Sequence, residues 1–150
     1  LPAELKRAGI EYLHLPELGG LRKPDSGSIN LGWKNDGFRG FADYMQTPAF
    51  DQALERLRAR AAAATVAIMC AEAVPWRCHR SLISDALVAR GDRVEHILGP
   101  DSIRPHALTT FASVEGTRTT YPAIDPEIPG LGPVQETGEA PSRAPGRRRR

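Results

Sequence analysis

Nowhere does the chain hold a run of about 18 apolar residues, so it offers no candidate for a helix crossing a membrane. Its first residues lack the basic, apolar and small-residue order of a secretion signal, which makes the cytoplasm the expected compartment. Cysteine is scarce as well, with only Cys70 and Cys78. In that compartment a reduced pair is expected rather than a structural disulfide. Lysine occurs only as Lys6, Lys23 and Lys34, so nearly all positive charge is guanidinium. That bias suits bidentate recognition of phosphate or carboxylate, although a GC-rich genome produces the same excess. The formal net charge of +2 is too small to point to a membrane or nucleic-acid partner, and part of it sits in Arg147 to Arg150.

What is present fits one ordinary domain: 150 residues, 41% hydrophobic and 25% charged, enough to bury a core. Ala3 to Ala8 reads as a helix stopped by Gly9. IEYLHL, Ile10 to Leu15, reads as a strand covered on both faces. A long segment rich in glycine, proline, serine and asparagine follows, then a short helix over Phe38 to Met45. A further helix starts at Pro48, with Phe50, Leu54, Leu57 and Ala61 as its buried stripe. TVAIMC, Thr65 to Cys70, reads as a central strand. The next helix spans about Cys78 to Arg90, buries Leu82, Ile83, Ala86 and Leu87, and ends at Gly91. RVEHIL, Arg93 to Leu98, is the following strand. This order predicts a parallel, right-handed strand–helix–strand unit, and hence a small α/β domain of three layers built on a parallel sheet. The domain is expected over residues 1–110. Residues 111–150 are expected to form a disordered tail rich in proline, glycine and arginine, whose terminal arginines could touch nucleic acid but read first as solvated.

Ligands of open α/β sheets gather where strands end and helices begin. MCAEAVPWRCHRSLISDAL, Met69 to Leu87, is such a place. Cys70 ends one expected strand and Cys78-His79-Arg80 opens a helix, whose N-terminus carries unpaired N–H groups and partial positive charge. With Arg77 and Arg80 beside it, a small anion is the expected ligand, and Cys78 is expected to gain thiolate character as a nucleophile. His79 follows Cys78 directly and points about 100° away on a helix, so a base for Cys78 would come from elsewhere, with Glu72 and His14 among the choices. Structural alternatives stand beside each role: Cys70 as a small core residue, Cys78 as part of a helix start, His79 bonded to a loop carbonyl, Arg77 and Arg80 paired with Glu72 and Asp85. A metal held by His14, Cys70, Cys78 and His79 is a chemical alternative. Cysteines eight apart lack the Cys-x-x-Cys knuckle, so no metal ligand is assigned. A phosphatase-like Cys-x5-Arg loop fails because Trp76 occupies the arginine position.

Three segments resemble one family. CAEAVPWRCHRSLISDAL is similar to the Cys-Ala-Glu…Cys-His-Arg signature of the domain of unknown function 488 family. YLHLPELGG, Tyr12 to Gly20, resembles its Tyr-x-His-x-Pro-x-Leu-Gly-Gly segment, and GFRGFADYMQTPAF, Gly37 to Phe50, its Phe-Arg-Gly-Tyr-Ala-x-Tyr-Met region, with Phe41 for tyrosine. The resemblance covers roughly residues 1 to 108. It implies an α/β fold and a pocket, with no established reaction, cofactor or oligomeric state. It also implies that a first strand carrying Thr-x-Gly-His-Ser and a second carrying Asp-x-Arg are lacking, so that the sequence reads as the carboxyl-terminal two thirds of such a domain. By the family pattern Tyr12, His14, Glu17, Arg39, Tyr44, Cys70, Glu72, Cys78, His79 and Arg80 are the positions of interest. Cys78, Cys70, Glu72 and His79 are therefore the catalytic candidates, and Tyr12, His14, Glu17, Arg39, Tyr44, Arg77 and Arg80 the ligand-binding ones. Three functions remain in view: an enzyme acting on a phosphorylated or nucleotide-like molecule, a non-catalytic module binding a nucleotide or nucleic acid, and a metal-dependent enzyme.

Overall fold

A computed structural model describes residues 1–123. Helix α1 (Pro2–Arg7) ends at Gly9, whose φ of 72° suits a residue without a side chain. Helix α2 (Asp36–Tyr44) is capped by Asn35, whose Oδ1 accepts from Gly37 and Phe38 N–H. Thr47 does the same for α3 (Pro48–Ala63) by accepting from Phe50 N–H, with Pro48 in the first turn where its missing donor costs nothing. Helix α4 (Arg80–Val88) follows a short 3₁₀ turn, Pro75–Arg77. Two antiparallel hairpins complete the described residues: β1 (Glu95–Gly99) with β2 (Ser102–Pro105), and β3 (Ser113–Glu115) with β4 (Arg118–Thr120).

The fold is thus mixed α/β, but the expected parallel three-layer sheet is not what forms. Among the described residues every strand pairing is antiparallel. Ile10–Leu15 and Thr65–Cys70, both expected as doubly covered strands, have no strand assignment. Ile10 and Met69 remain 53% and 65% exposed. Apolar and β-branched character marks a segment able to pair, but a strand exists only through its ladder, and no described segment supplies one. Arg93–Leu98 does contain a strand, β1. It pairs with β2 across Pro100 and Asp101 instead of with Thr65–Cys70. A local hairpin closes with little loop entropy, whereas a crossover pairing must first close a long loop.

The core lies where α2, α3 and α4 meet. Phe41 from α2, Phe50, Ala53 and Leu54 from α3, and Leu82 and Ala86 from α4 are essentially inaccessible. The α3 stripe is as expected at Phe50, Leu54 and Leu57, but Ala61 is exposed because the last turn of the helix runs past the core. Phe41, Tyr44 and Phe50 meet edge to face at centroid separations of 5.8–6.1 Å, the geometry favoured by aromatic quadrupoles. The long segment before α2 is tied down through one buried carboxylate. Asp43 accepts from Asp25 N–H at 2.9 Å, Ser28 Oγ at 2.6 Å and Asn30 Nδ2 at 2.8 Å.

Ordered structure continues past residue 110. Tyr121, just after β4, is fully buried, and its N–H donates to Asn30 Oδ1 at 2.8 Å. The part of the expected tail from residue 124 onward, with Arg147 to Arg150, lies outside the described residues. No described helix is long and apolar enough to cross a membrane.

Replacing Leu54 by Ala should lower unfolding free energy by about 2–5 kcal/mol, the range for a buried leucine. Asp43→Ala should cost about 1–3 kcal/mol, because its donors lose their acceptor. Denaturant titration checks both. The second variant should also show faster amide exchange over residues 25–30, while Leu54→Ala should not single out that segment.

Candidate functional site at the Cys78 turn

The Met69 to Leu87 stretch folds as a turn, and the turn brings sulfur and guanidinium together. Cys78 stands two residues before α4 and is 5% exposed. Its Sγ accepts from the N–H of Arg80 at 3.3 Å and from Arg80 Nε at 3.0 Å. The same guanidinium donates through Nη2 to the backbone carbonyl of Glu72. Glu72 N–H in turn donates to Cys70 Sγ at 3.2 Å. Arg80 therefore staples the 70–72 turn to the start of α4. Both cysteines are free thiols, and Cys70 is close enough to act on the ionisation of Cys78.

An activated thiolate at Cys78 is not what this environment makes. Burial pushes the Cys78 thiol up, and this outweighs the pull of the Arg80 guanidinium in the other direction. The helix start is shifted as well. Residue 78 was expected in the first turn, but α4 begins at Arg80 and the thiol sits outside the row of free N–H groups except that of Arg80 itself.

His79 is half-buried against the Phe41 ring at a centroid separation of 5.1 Å. Burial lowers its pKa, Arg80 adds to this, and a bond to the Leu18 backbone opposes both. Gly20 passes so close that a Cβ there would lie 2.3 Å from His79 Nδ1. The Gly19-Gly20 pair thus lets the first family segment pack on the Cys78 turn. His79 acts here as a packing imidazole.

The remaining candidates do not converge on this turn. Tyr12 and His14 are exposed. Glu17 pairs with Arg56 at 3.1 Å on the surface. Arg39 donates to Asp36 and to the Trp33 carbonyl. The Tyr44 ring carries the Arg22 guanidinium 3.8 Å above its centroid. Arg77 and the Glu72 side chain face solvent. Among the described residues no group of three or more His, Cys, Asp or Glu side chains is placed to hold an ion.

Beside the turn lies a cavity of about 660 Å³, bounded by the last turns of α3, residues 66–68, Pro75, Arg80 and the first strand β1. Two of its walls join through Asp85, which the sequence offers only as a partner for arginine. Asp85, fully buried on α4, accepts from His106 Nε2 at 2.8 Å, Thr109 N–H at 2.9 Å, and the hydroxyls of Thr109 and Tyr121 at 2.7 and 2.8 Å. His106 Nδ1 lies 2.8 Å from His96 Nε2, and His96 lines the cavity. The signal for this cluster was the Gly-Pro-Asp-Ser turn between residues 99 and 102, which folds the two histidines onto one another.

The family model for the domain of unknown function DUF488 matches residues 1–87. The chain belongs to that family. Comparison with curated proteins and with solved structures found no match. The matched DUF488 segment contains the Cys78 turn and Asp85, whereas His96, His106 and Tyr121 lie beyond it.

Two outcomes check this description. At neutral pH iodoacetamide should modify Cys70 in the native protein while Cys78 reacts only after unfolding; Cys78 reacting at the rate of a free thiol would contradict its burial. The second outcome concerns acid. Because the folded state holds His79 below its ordinary value of 6.5, the unfolded chain binds the proton first as pH falls. Stability from this residue is therefore complete above about pH 6.5 and declines through the folded-state pKa. His79→Leu should flatten that decline.

Proposed function

We propose that the cavity beside Arg80 binds a small anionic molecule, of phosphorylated or nucleotide-like kind. One observation carries this reading: Arg80 lines the cavity with no carboxylate partner among the described residues. The other guanidiniums there are already paired, Arg58 with Asp92 and Glu55, and Arg93 with Glu95. Arg80 meets the two cysteine thiols and a carbonyl but no carboxylate, so its charge remains to be met by a ligand. A cavity of about 660 Å³ is of the size that holds small molecules. Its apolar wall of Leu57, Ile68, Pro75 and Leu87 suits a flat ring, and its guanidinium end suits the phosphate.

The binding reading is favoured over thiol catalysis by the state of Cys78. A protonated sulfur that accepts two N–H bonds from Arg80 orients the guanidinium and is a poor nucleophile. In this reading Cys78 and the Glu72 carbonyl are positioning groups and Arg80 is the ligand-binding group. Arg77, Arg39 and Tyr44 lie outside it.

Thermal melting of the protein with inorganic phosphate and with a nucleoside monophosphate tests the proposal. Saturating ligand should raise the midpoint by mass action, Arg80→Ala should abolish the rise, and Arg77→Ala should leave it intact. A rise that survives Arg80→Ala, or no rise with either compound, defeats it.

A further inference from the structure

We propose that Asp85, His106 and His96 form a proton relay that makes His96 the proton acceptor of a catalytic site at the cavity, acting on anionic molecules that carry a transferable O–H proton. The inference deepens the anion-binding reading, and its first test is independent of that reading.

The direction of the relay follows from which atoms can donate. The Asp85 carboxylate accepts four hydrogen bonds, from His106 Nε2, Thr109 N–H, Thr109 Oγ1 and Tyr121 Oη, so His106 must carry its proton on Nε2. In the neutral ring its Nδ1 is then an acceptor. The facing atom, His96 Nε2 at 2.8 Å, must donate, which leaves the lone pair of His96 on Nδ1. The buried carboxylate thereby sets the tautomer of a histidine two hydrogen bonds away. His106 is 6% exposed and Asp85 is inaccessible, while His96 is half-buried and lines the cavity. Buried support with an accessible end is what a base at a binding site requires.

The chemistry balances. A ligand O–H bond breaks, its electron pair stays on oxygen, and the proton forms an N–H bond at His96 Nδ1. The proton on His96 Nε2 can then pass to His106 Nδ1, which places the imidazolium charge against Asp85. Burial holds the pKa of His96 below its ordinary value, with the charges of His106 and Arg80 acting in the same sense and Asp85 opposing. Arg104 lies opposite His96 in the β1–β2 register, and Glu95 and Arg93 flank it along the cavity wall. At neutral pH His96 is therefore unprotonated and ready to accept. Arg80, which contributes to that state, is also the proposed anion anchor, so substrate anchor and base line the same cavity.

Long-range ¹H–¹⁵N correlation of the imidazoles in the full chain, from pH 8 to pH 5, tests the relay without a ligand. Both rings should carry their proton on Nε2 at pH 8, and the pair should take up one proton before a second binds. His106→Gln should leave His96 populating both tautomers, while His96→Gln should leave His106 protonated on Nε2. A dominant Nδ1–H tautomer of His96, independent titration of the two rings near pH 6.5, or a His96 tautomer unmoved by His106→Gln overturns the relay. Sulfate, which carries no proton at this pH, tests the acceptor role. Its binding at pH 7 should be accompanied by proton uptake, measured calorimetrically in two buffers of different ionisation enthalpy. The uptake should vanish in His96→Gln although sulfate still binds, and persistence of the uptake there overturns the role assigned to His96. If sulfate fails to bind the native protein, the anion-binding reading and the acceptor role fall together, while the titration alone still decides the relay.

Discussion

A single carboxylate with no contact to water holds the second half of this domain together. Removing an ionised group from solvent costs several kcal/mol even after relaxation, and Asp85 is fully buried on α4. Four donors offset that cost, and they come from three places: His106 at the end of the β1–β2 hairpin, Thr109 in the turn that follows, and Tyr121 after β4. The β1–β2 hairpin makes little apolar contact of its own. Ile97 and Ile103 are largely exposed. The β1–β2 hairpin is therefore placed by this polar node rather than by a second core, while β3–β4 is also tied to the chain just after α2 and α4 through Gln46 and Arg90. The phenol of Tyr121 is pushed upward by burial and by Asp85, so it remains a donor throughout the range in which the protein is handled.

Asp43 plays the matching part in the first half. It gathers the loop ahead of α2, and Asn30 links the halves by donating to Asp43 and accepting from Tyr121 N–H. Between these nodes sits the aromatic cluster of Trp33, with Phe38 stacked at 4.8 Å and Phe111 edge-on at 4.9 Å. Buried polar groups of this kind specify one arrangement because any other leaves a charge unpaired. The Cys78 turn and the cavity beside it are by-products of that arrangement. α4 is fixed from below by Asp85, and Arg80 at its start is left to bridge sulfur and carbonyl at the rim.

Much of the local structure was legible along the chain. The start at Pro48, the stops at Gly9 and Gly91, and the stripes of α3 and α4 depend on neighbours within a few residues, and such signals survive in the linear order. The approach to a helix start was legible too, although α4 begins at Arg80 rather than at Cys78. The electrostatics of this turn were not, because whether a thiol beside an arginine is lowered or raised depends on how much protein covers it, and spacing does not report coverage.

The two apolar segments at Ile10–Leu15 and Thr65–Cys70 show the same limit from the other side. Composition marks them as able to pair, but pairing belongs to two segments at once, and among the described residues neither finds its partner. The converse holds for His96 and His106. Neither sits in a recognisable motif, and they meet only because a two-residue turn at Pro100 and Asp101 reverses the chain and Asp85 reaches them from another element. Short-range order is written in caps, periodicity and glycine stops because those forces act between near neighbours. The charge state of a buried group and the meeting of distant side chains are set by folding, since both depend on what water is excluded from.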